Sequence, residues 1–262
     1  MGAIMEFDPE TSRRVEAVYT TPDVVEQRRV VREMLELRAG ERVLDVGVGP
    51  GFLSAEMAAE VGPDGKVCGV DPSDSMLAIA RTRAARPGSA PVELEPGDAN
   101  HLPYPDSSFD VATSTQVLEY VEDIPGALAE LRRVLRPGGR VLLLDTDWDS
   151  VVWHSGDRER MRRILTAWEP HLADPHLPRT LRGSLRRAGF DAAVPQVLPL
   201  LNVGYQPGTY SAGVLEVIAG FVVGRRGVTA EEARAWADDL RSLGDEYFFS
   251  LNRYLFRATS PA

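Results

Sequence analysis

A short apolar run that ends in a glycine loop and turns into a helix leaves few folds open to this chain. Arg42-Val43-Leu44-Asp45-Val46 fits a buried strand, and Gly47-Val48-Gly49-Pro50-Gly51 follows at once. Leu53, Met57 and Val61 then fall on one face of a helix. Glycines at such a junction let the backbone turn tightly and approach a ligand closely, at the N-terminus of the next helix. Strand, tight loop and helix in that order open a parallel sheet unit whose ligand crevice lies at the carboxyl ends of the strands.

The alternation continues. Lys66–Val70 reads as a strand, Ser73–Arg86 as a helix, Pro91–Leu94 and Phe109–Ser114 as strands. A helix from about Ile124 to Leu135 aligns Leu128, Leu131 and Leu135. A turn at Arg136-Pro137-Gly138-Gly139 leads to the strand Arg140–Leu144. Upstream, Thr21-Pro22-Asp23 starts a helix with a capping hydroxyl, Pro at N1 and an acid in the first turn. That helix runs to about Leu37.

Beyond Asp145 the pattern changes. Asp147–Ser155 is aromatic and irregular, Asp157–Trp168 helical, and His171–Pro178 a loop. Leu181–Ala188 is a helix and Val194–Leu201 a strand. Residues 203–244 are mostly helical, with a capping box at Thr229-x-x-Glu232. Tyr247–Phe256 is a last strand, read as an antiparallel edge. The expected architecture is α/β, a doubly wound Rossmann-like sheet of seven strands, mostly parallel with an antiparallel last strand. It divides into an N-terminal helical lid (1–40), a core (41–146) and a remainder (147–262). Helical insertions at about 147–177 and 203–244 form a substrate cap.

Composition narrows the function. The 262 residues carry 39 acidic and 29 basic side chains, a net charge of −10, with the excess before residue 147. Nucleic-acid affinity rests on Lys/Arg contacts to phosphate, so no nucleic-acid partner is expected. Cys68 is the single cysteine, so there is no internal disulfide and no cysteine-rich metal site. Met1–Glu6 lacks the basic and apolar regions of a secretory leader, and Ser211–Gly224 is too short to span a bilayer. A cytoplasmic chain without membrane insertion is expected. His171 and His176 flank Asp174 between two prolines with no partner cluster, so no metal is expected.

Asp71 closes the second strand, 20 residues beyond Gly51. An acid there suits two hydrogen bonds to a ribose diol. A nicotinamide fingerprint, G-x-G-x-x-G from Gly47, would need a third glycine where Phe52 stands, which disfavours an oxidoreductase.

With these residues in view, the chain resembles the class I S-adenosylmethionine-dependent methyltransferases. It is most similar to the ubiquinone/menaquinone-biosynthesis branch (methyltransferase type 11). Val43–Gly51, Gly69-Val70-Asp71, Gly97-Asp98-Ala99, Phe109-Asp110-Val111 and Leu135–Gly139 carry the likeness, in order, across about residues 20–146. The resemblance implies a cofactor, S-adenosyl-L-methionine, a product, S-adenosyl-L-homocysteine, and a small-molecule acceptor. Gly47, Gly49 and Gly51 would approach the methionine and ribose parts, and Asp45 the amino group. Asp71 would take the ribose hydroxyls, Asp98 the adenine amino group, Ala99 N–H the ring, and Met76 the adenine face. Thr115 and Gln116 would meet the methionine end. Relatives often carry a His after the fourth strand; here the segment reads Val117-Leu118-Glu119-Tyr120, so Glu119 or Tyr120 would face the substrate.

Methyl transfer from a sulfonium is an in-line displacement, and a base is needed only if the nucleophile must lose a proton. Glu119, His154 and Tyr19 are the candidates for such a role, with Tyr19 also placed to close over the cofactor. Tyr120, Trp148, Trp153, Tyr205 and Tyr210 are candidates to line an apolar acceptor pocket. A nonmethylating S-adenosylmethionine protein on the same fold, a cyclase or a sensor, stays open, as does a homodimer through the cap.

Overall fold

The computed structural model describes residue 13, residues 16–84 and residues 87–261. The start of the chain and Arg86, the expected end of a helix, lie outside the described residues. Eight strands form one sheet: β1 (Arg42–Val46), β2 (Lys66–Asp71), β3 (Val92–Pro96), β4 (Phe109–Thr115), β5 (Leu135–Trp153), β6 (Asp191–Ala192), β7 (Gln196–Val203) and β8 (Phe248–Thr259). The helices are α1 (Pro22–Leu35), α2 (Phe52–Val61), α3 (Asp74–Arg81), α4 (Ile124–Val134), α5 (Arg158–Trp168), α6 (Pro178–Arg187), α7 (Tyr210–Phe221) and α8 (Ala230–Ser242).

The first five strands are parallel, in the order β3-β2-β1-β4-β5. The order reverses between β1 and β4, so their loops part and open a crevice at the carboxyl ends. The sheet has seven positions but eight strands. β6 and β7 lie end to end along one side of β8, at Ala258–Thr259 and at Phe248–Leu255. Pro195 falls between them and has no N–H for the ladder. β8 is therefore not the expected edge: it pairs antiparallel with β5 on its other side. The sequence marks β8 as a strand, but its neighbours depend on pairings distant in the chain.

Asp147–Trp153, expected to be irregular, continues β5, with Val152 opposite Ser250 and Trp153 opposite Phe249 across a register shift. The expected turn at 136–139 also lies within β5, beside a bulge between Phe109 and Val111. Gly138 N–H donates to Ser260 O (2.9 Å) and Ser260 N–H to Gly139 O (2.8 Å), which gives the turn sheet-like bonding.

Among α1–α8, N-cap side chains mark four of the eight helix starts. Ser73, Asp123, Asp157 and Thr229 each accept a backbone N–H at the third residue beyond. Thr21 does not cap α1; its hydroxyl donates to Val18 O (2.7 Å). Glu232, the far member of the expected capping box, turns its carboxylate to Arg163 (3.0 Å).

Two apolar clusters sandwich the sheet. One joins α4 and α6, with Leu128, Leu131, Leu181 and Leu185, to one face; the other joins α1 and α2, with Val31, Leu35, Met57 and Val61, to the opposite face. A third cluster gathers α5, α7 and α8 around Trp153, Trp168, Trp236 and Phe249. It sits on the stretch of β5, β8 and β7 that runs past the end of the parallel strands. No helix among the described residues is long and apolar enough to cross a membrane.

Candidate active site

The glycine loop is set by its own backbone bonds. Gly47, Gly49 and Gly51 all have positive φ (79°, 53° and 82°), a region side chains rarely adopt. Gly47 and Val48 N–H both donate to Val70 O, Gly49 N–H to Asp71 Oδ2 (2.8 Å) and Gly51 N–H to Val48 O. Three of these N–H groups are taken by β2 and the fourth by the loop itself, so none of the four is free to cradle a pyrophosphate as a dinucleotide loop does. Phe52, where a dinucleotide motif needs glycine, is held between the Arg28 and Arg83 guanidinium groups, 4.9 and 4.2 Å from its ring.

Above the loop lies a cleft of about 490 Å³. Gly47, Gly49, Asp71, Met76, Asp98, Ala99 and Gln116 all line it, with Tyr19, Val117 and Tyr120. Asp71 is buried at the end of β2, and its second oxygen accepts Ser73 N–H (2.9 Å). Burial pushes its carboxyl up, against the pull of those two backbone donors. Asp98 is more than half exposed; its Oδ1 accepts Asn100 N–H (2.7 Å). Met76 and Ala99 supply apolar wall.

Three of the expected cofactor residues do not line the cleft. Asp45 is buried beneath the loop, its carboxylate bonded to Ser54 at the start of α2, and burial pushes its pKa up to about 7. Gly51 faces α3: a Cβ there would lie 2.8 Å from the Ala80 backbone. Its glycine serves packing between loop and helix. Thr115 lines neither this cleft nor the chamber below.

A second chamber of about 120 Å³ lies between the cleft and the cap, and Tyr19, Gln116 and Tyr120 line both spaces. Gln116 has φ 59°, a strained conformation for a non-glycine residue, and its Oε1 accepts the Thr146 hydroxyl (2.7 Å). The turn Leu118–Tyr120 places Glu119, buried, in the chamber wall. Glu119 Oε2 accepts Thr146 N–H (3.1 Å), and Glu119 N–H approaches Asp145 Oδ1 (3.3 Å). Burial drives both carboxyls upward, and each opposes ionisation of the other, so the pair readily holds a proton. Burial also takes the Tyr19 phenol up to about 12.

The cap completes the chamber. Ala173 and Asp174 N–H both donate to Glu119 O (2.9 and 3.0 Å), tying the segment after α5 to this turn. Asp23 accepts Tyr210 N–H (2.9 Å), so α1 caps α7. Trp148 and Tyr210 line the chamber as expected substrate-side residues. Trp153 and Tyr205 do not. Strand alternation turns Trp153 toward Trp236 and Phe249, and Tyr205 packs on Tyr247. His154, just past the end of β5, is exposed and lines neither space. His171 and His176 part company. His171 stacks on Trp168 (3.5 Å between centroids) in the chamber wall, and burial takes it down to about 3. His176 Nδ1 lies 3.5 Å from Asp147 and 3.7 Å from Asp149. Arg179 bridges those same carboxylates at 2.8 Å each, which compensates their charge.

Sequence reasoning missed Arg253, Gln27, Trp168 and His171. Arg253 had a readable signal, a charge on the inward face of an otherwise apolar strand: Phe249, Leu251, Arg253, Leu255.

Comparison with known proteins agrees with this geometry. Residues 44–143 match the family described as "Methyltransferase domain". A demethylmenaquinone methyltransferase of Symbiobacterium thermophilum is 35% identical over 196 residues, covering 66% of this chain and 77% of the relative. A 37.1 kDa protein in a transposon of Streptomyces fradiae is 38% identical over 198 residues, covering 74% of this chain. The chain spans only 56% of that relative's length. Among solved structures, a phosphoethanolamine N-methyltransferase of Haemonchus contortus, in complex with S-adenosyl-L-methionine, superposes with a TM-score of 0.64 at 21% identity. The match covers 97% of this chain and 58% of that one. Together the matched core and the menaquinone-pathway relative show that the chain belongs to the class I S-adenosylmethionine-dependent methyltransferases, in the menaquinone-like branch.

Proposed function

We propose that the chain transfers a methyl group from S-adenosylmethionine, bound in the cleft, to a small organic acceptor bound in the chamber under the cap. The observation that carries this reading is the junction: Tyr19, Gln116 and Tyr120 line both spaces, so the two ligands would meet there. The cofactor supplies an electrophilic methyl on a sulfonium and departs as a neutral thioether. Asp71 would hold the ribose hydroxyls with the lone pairs that Gly49 and Ser73 leave free. Asp98 and the Ala99 N–H would meet the adenine, and Met76 its face. With its N–H groups already paired, the loop favours this phosphate-free nucleoside over a pyrophosphate.

The chain's own work is positioning, exclusion of water and handling of a proton. Trp148, Trp168, His171 and Tyr210 give the chamber aromatic walls. Glu119 is the group placed to take a proton from the acceptor, and its elevated pKa suits a base near neutrality. A base must be ionised to act, so the rate should climb as pH rises through that elevated pKa. Glu119→Gln should flatten this acidic limb and lower kcat by roughly two to four orders of magnitude, the scale of a lost general base. Cofactor affinity should stay near the wild-type value. A Glu119→Gln enzyme that keeps the wild-type limb would exclude Glu119 as the base.

The test of the function is S-adenosylhomocysteine release measured across a panel of phenols, enols and aromatic acids. Turnover with any of them supports the reading. Tight cofactor binding with no release across the panel would favour the nonmethylating cyclase or sensor.

A further inference from the structure

We propose that the chamber under the cap binds an aromatic carboxylate, with Arg253 holding the negatively charged oxygens of the acceptor. The inference rests on the reading of this chamber as the acceptor site. It begins with an anomaly in β8. Arg253 is 3% exposed on a strand face otherwise made of Phe249, Leu251 and Leu255. A guanidinium taken out of water costs several kcal/mol unless a partner compensates it, and a carboxylate is the usual partner. Among the described residues no carboxylate oxygen lies within 4.0 Å of Arg253. One of its terminal nitrogens donates to Gln27 Oε1, the guanidinium lies 4.5 Å from the Tyr210 ring centre and bonds with the Tyr210 side chain, and its Nε has no partner.

Three more buried donors share that condition. Gln116 Nε2, Trp148 Nε1 and Trp168 Nε1 are each without a hydrogen-bond partner. Together with Arg253 they belong to residues that line the same chamber. Each of the four atoms is a donor. Trp153 and Trp236 Nε1, away from the chamber, are unpaired as well, so the weight falls on Arg253 and Gln116, whose unpaired nitrogens suit a ligand that brings lone pairs. A carboxylate supplies them with the charge that Arg253 lacks, in the planar geometry a guanidinium fork matches.

The rest of the ligand follows from the walls. Trp148, Trp168 and Tyr210 offer aromatic surface around about 120 Å³ of space, which joins the larger cleft along Tyr19, Gln116 and Tyr120. His171 is neutral by burial and adds no second cation. Burial drives the Glu119 carboxyl up while the nearby Arg253 charge draws it down, so the guanidinium faces both the ligand and the base that takes its proton. An aromatic acid with a ring hydroxyl would then place its carboxylate on Arg253 while the hydroxyl proton passes to Glu119. The phenolic oxygen forms the new bond to carbon as the sulfur–methyl bond breaks.

The test is a tryptophan-fluorescence titration of the full chain, saturated with S-adenosylhomocysteine, with benzoate and with its neutral isostere benzamide. Wild type should bind benzoate roughly tenfold or more tightly than benzamide, the scale of one charge-assisted hydrogen bond. Arg253→Gln should erase that preference by weakening benzoate alone, while S-adenosylhomocysteine affinity by calorimetry is unchanged. Equal binding of the two probes by wild type overturns the proposal without any variant. So does an Arg253→Gln protein that still prefers benzoate. The titration is repeated without S-adenosylhomocysteine. A benzoate preference in a protein that binds no S-adenosylhomocysteine would sink the methyltransferase reading and keep the anion site. The reverse pattern would do the opposite.

Discussion

Asp71→Ala should weaken S-adenosylmethionine binding by about 1.5–3 kcal/mol, or roughly ten- to a hundredfold in affinity, the range for lost hydrogen bonds to a charged group. Two effects combine. The variant removes the oxygens proposed to meet the ribose, and it strips Gly49 and Ser73 N–H of their acceptor. Gly49 lines the cleft, with Tyr19 the nearest side chain to a Cβ placed there (3.7 Å). Asp71→Asn separates the two effects, because its single carbonyl oxygen can replace only one of the two acceptors. It should fall between wild type and alanine. Calorimetric titration reads both variants, and alanine affinity equal to wild type would remove Asp71 from the cofactor site.

The second large effect is on stability. Gly51→Ala should destabilise the protein by about 2–5 kcal/mol, adding left-handed strain to an overpacked contact. The contact is with Ala80, whose Cβ and Cα lie 2.7 and 2.8 Å from the new methyl. Gly40→Ala is the control: its φ is 84°, but nothing lies within 4 Å of the added Cβ. It should lose only the strain, about 1–2 kcal/mol. Urea midpoints measured side by side isolate the clash. Equal losses would mean that the fit of the loop against α3 is looser than described.

These two glycines show what a sequence reveals and what it hides. The loop and the strands around it were legible because their signals are local: apolar runs, turn residues and a carboxylate at a strand end. Gly47, Gly49, Asp71, Met76, Asp98, Ala99 and Gln116 accordingly meet at one cleft. Gly51 has the same local signature, yet its Cβ direction points to α3, which no spacing rule shows. The proposed acceptor side was less legible for the same reason. Trp168 ends α5 and His171 ends the 3-10 turn Glu169–His171 that follows it, and only tertiary packing brings them beside Trp148. His154 and Trp153 were displaced by the extension of β5, whose alternation sends one outward and the other into the cap core. The position of β8 depended on partners more than a hundred residues away in β5 and about fifty away in β7. Arg253 could have been found, since a lone charge on a buried strand face needs a reason.

The central claim is that the cleft holds a sulfonium nucleoside. Parallel calorimetric titrations of the full chain with S-adenosylmethionine, S-adenosylhomocysteine and NAD test it most directly. The account predicts saturable one-to-one binding of the first two and none of the third, because the loop has no free N–H groups for a pyrophosphate and Phe52 fills the place of the third glycine. NAD binding with no response to either sulfur nucleotide would contradict it.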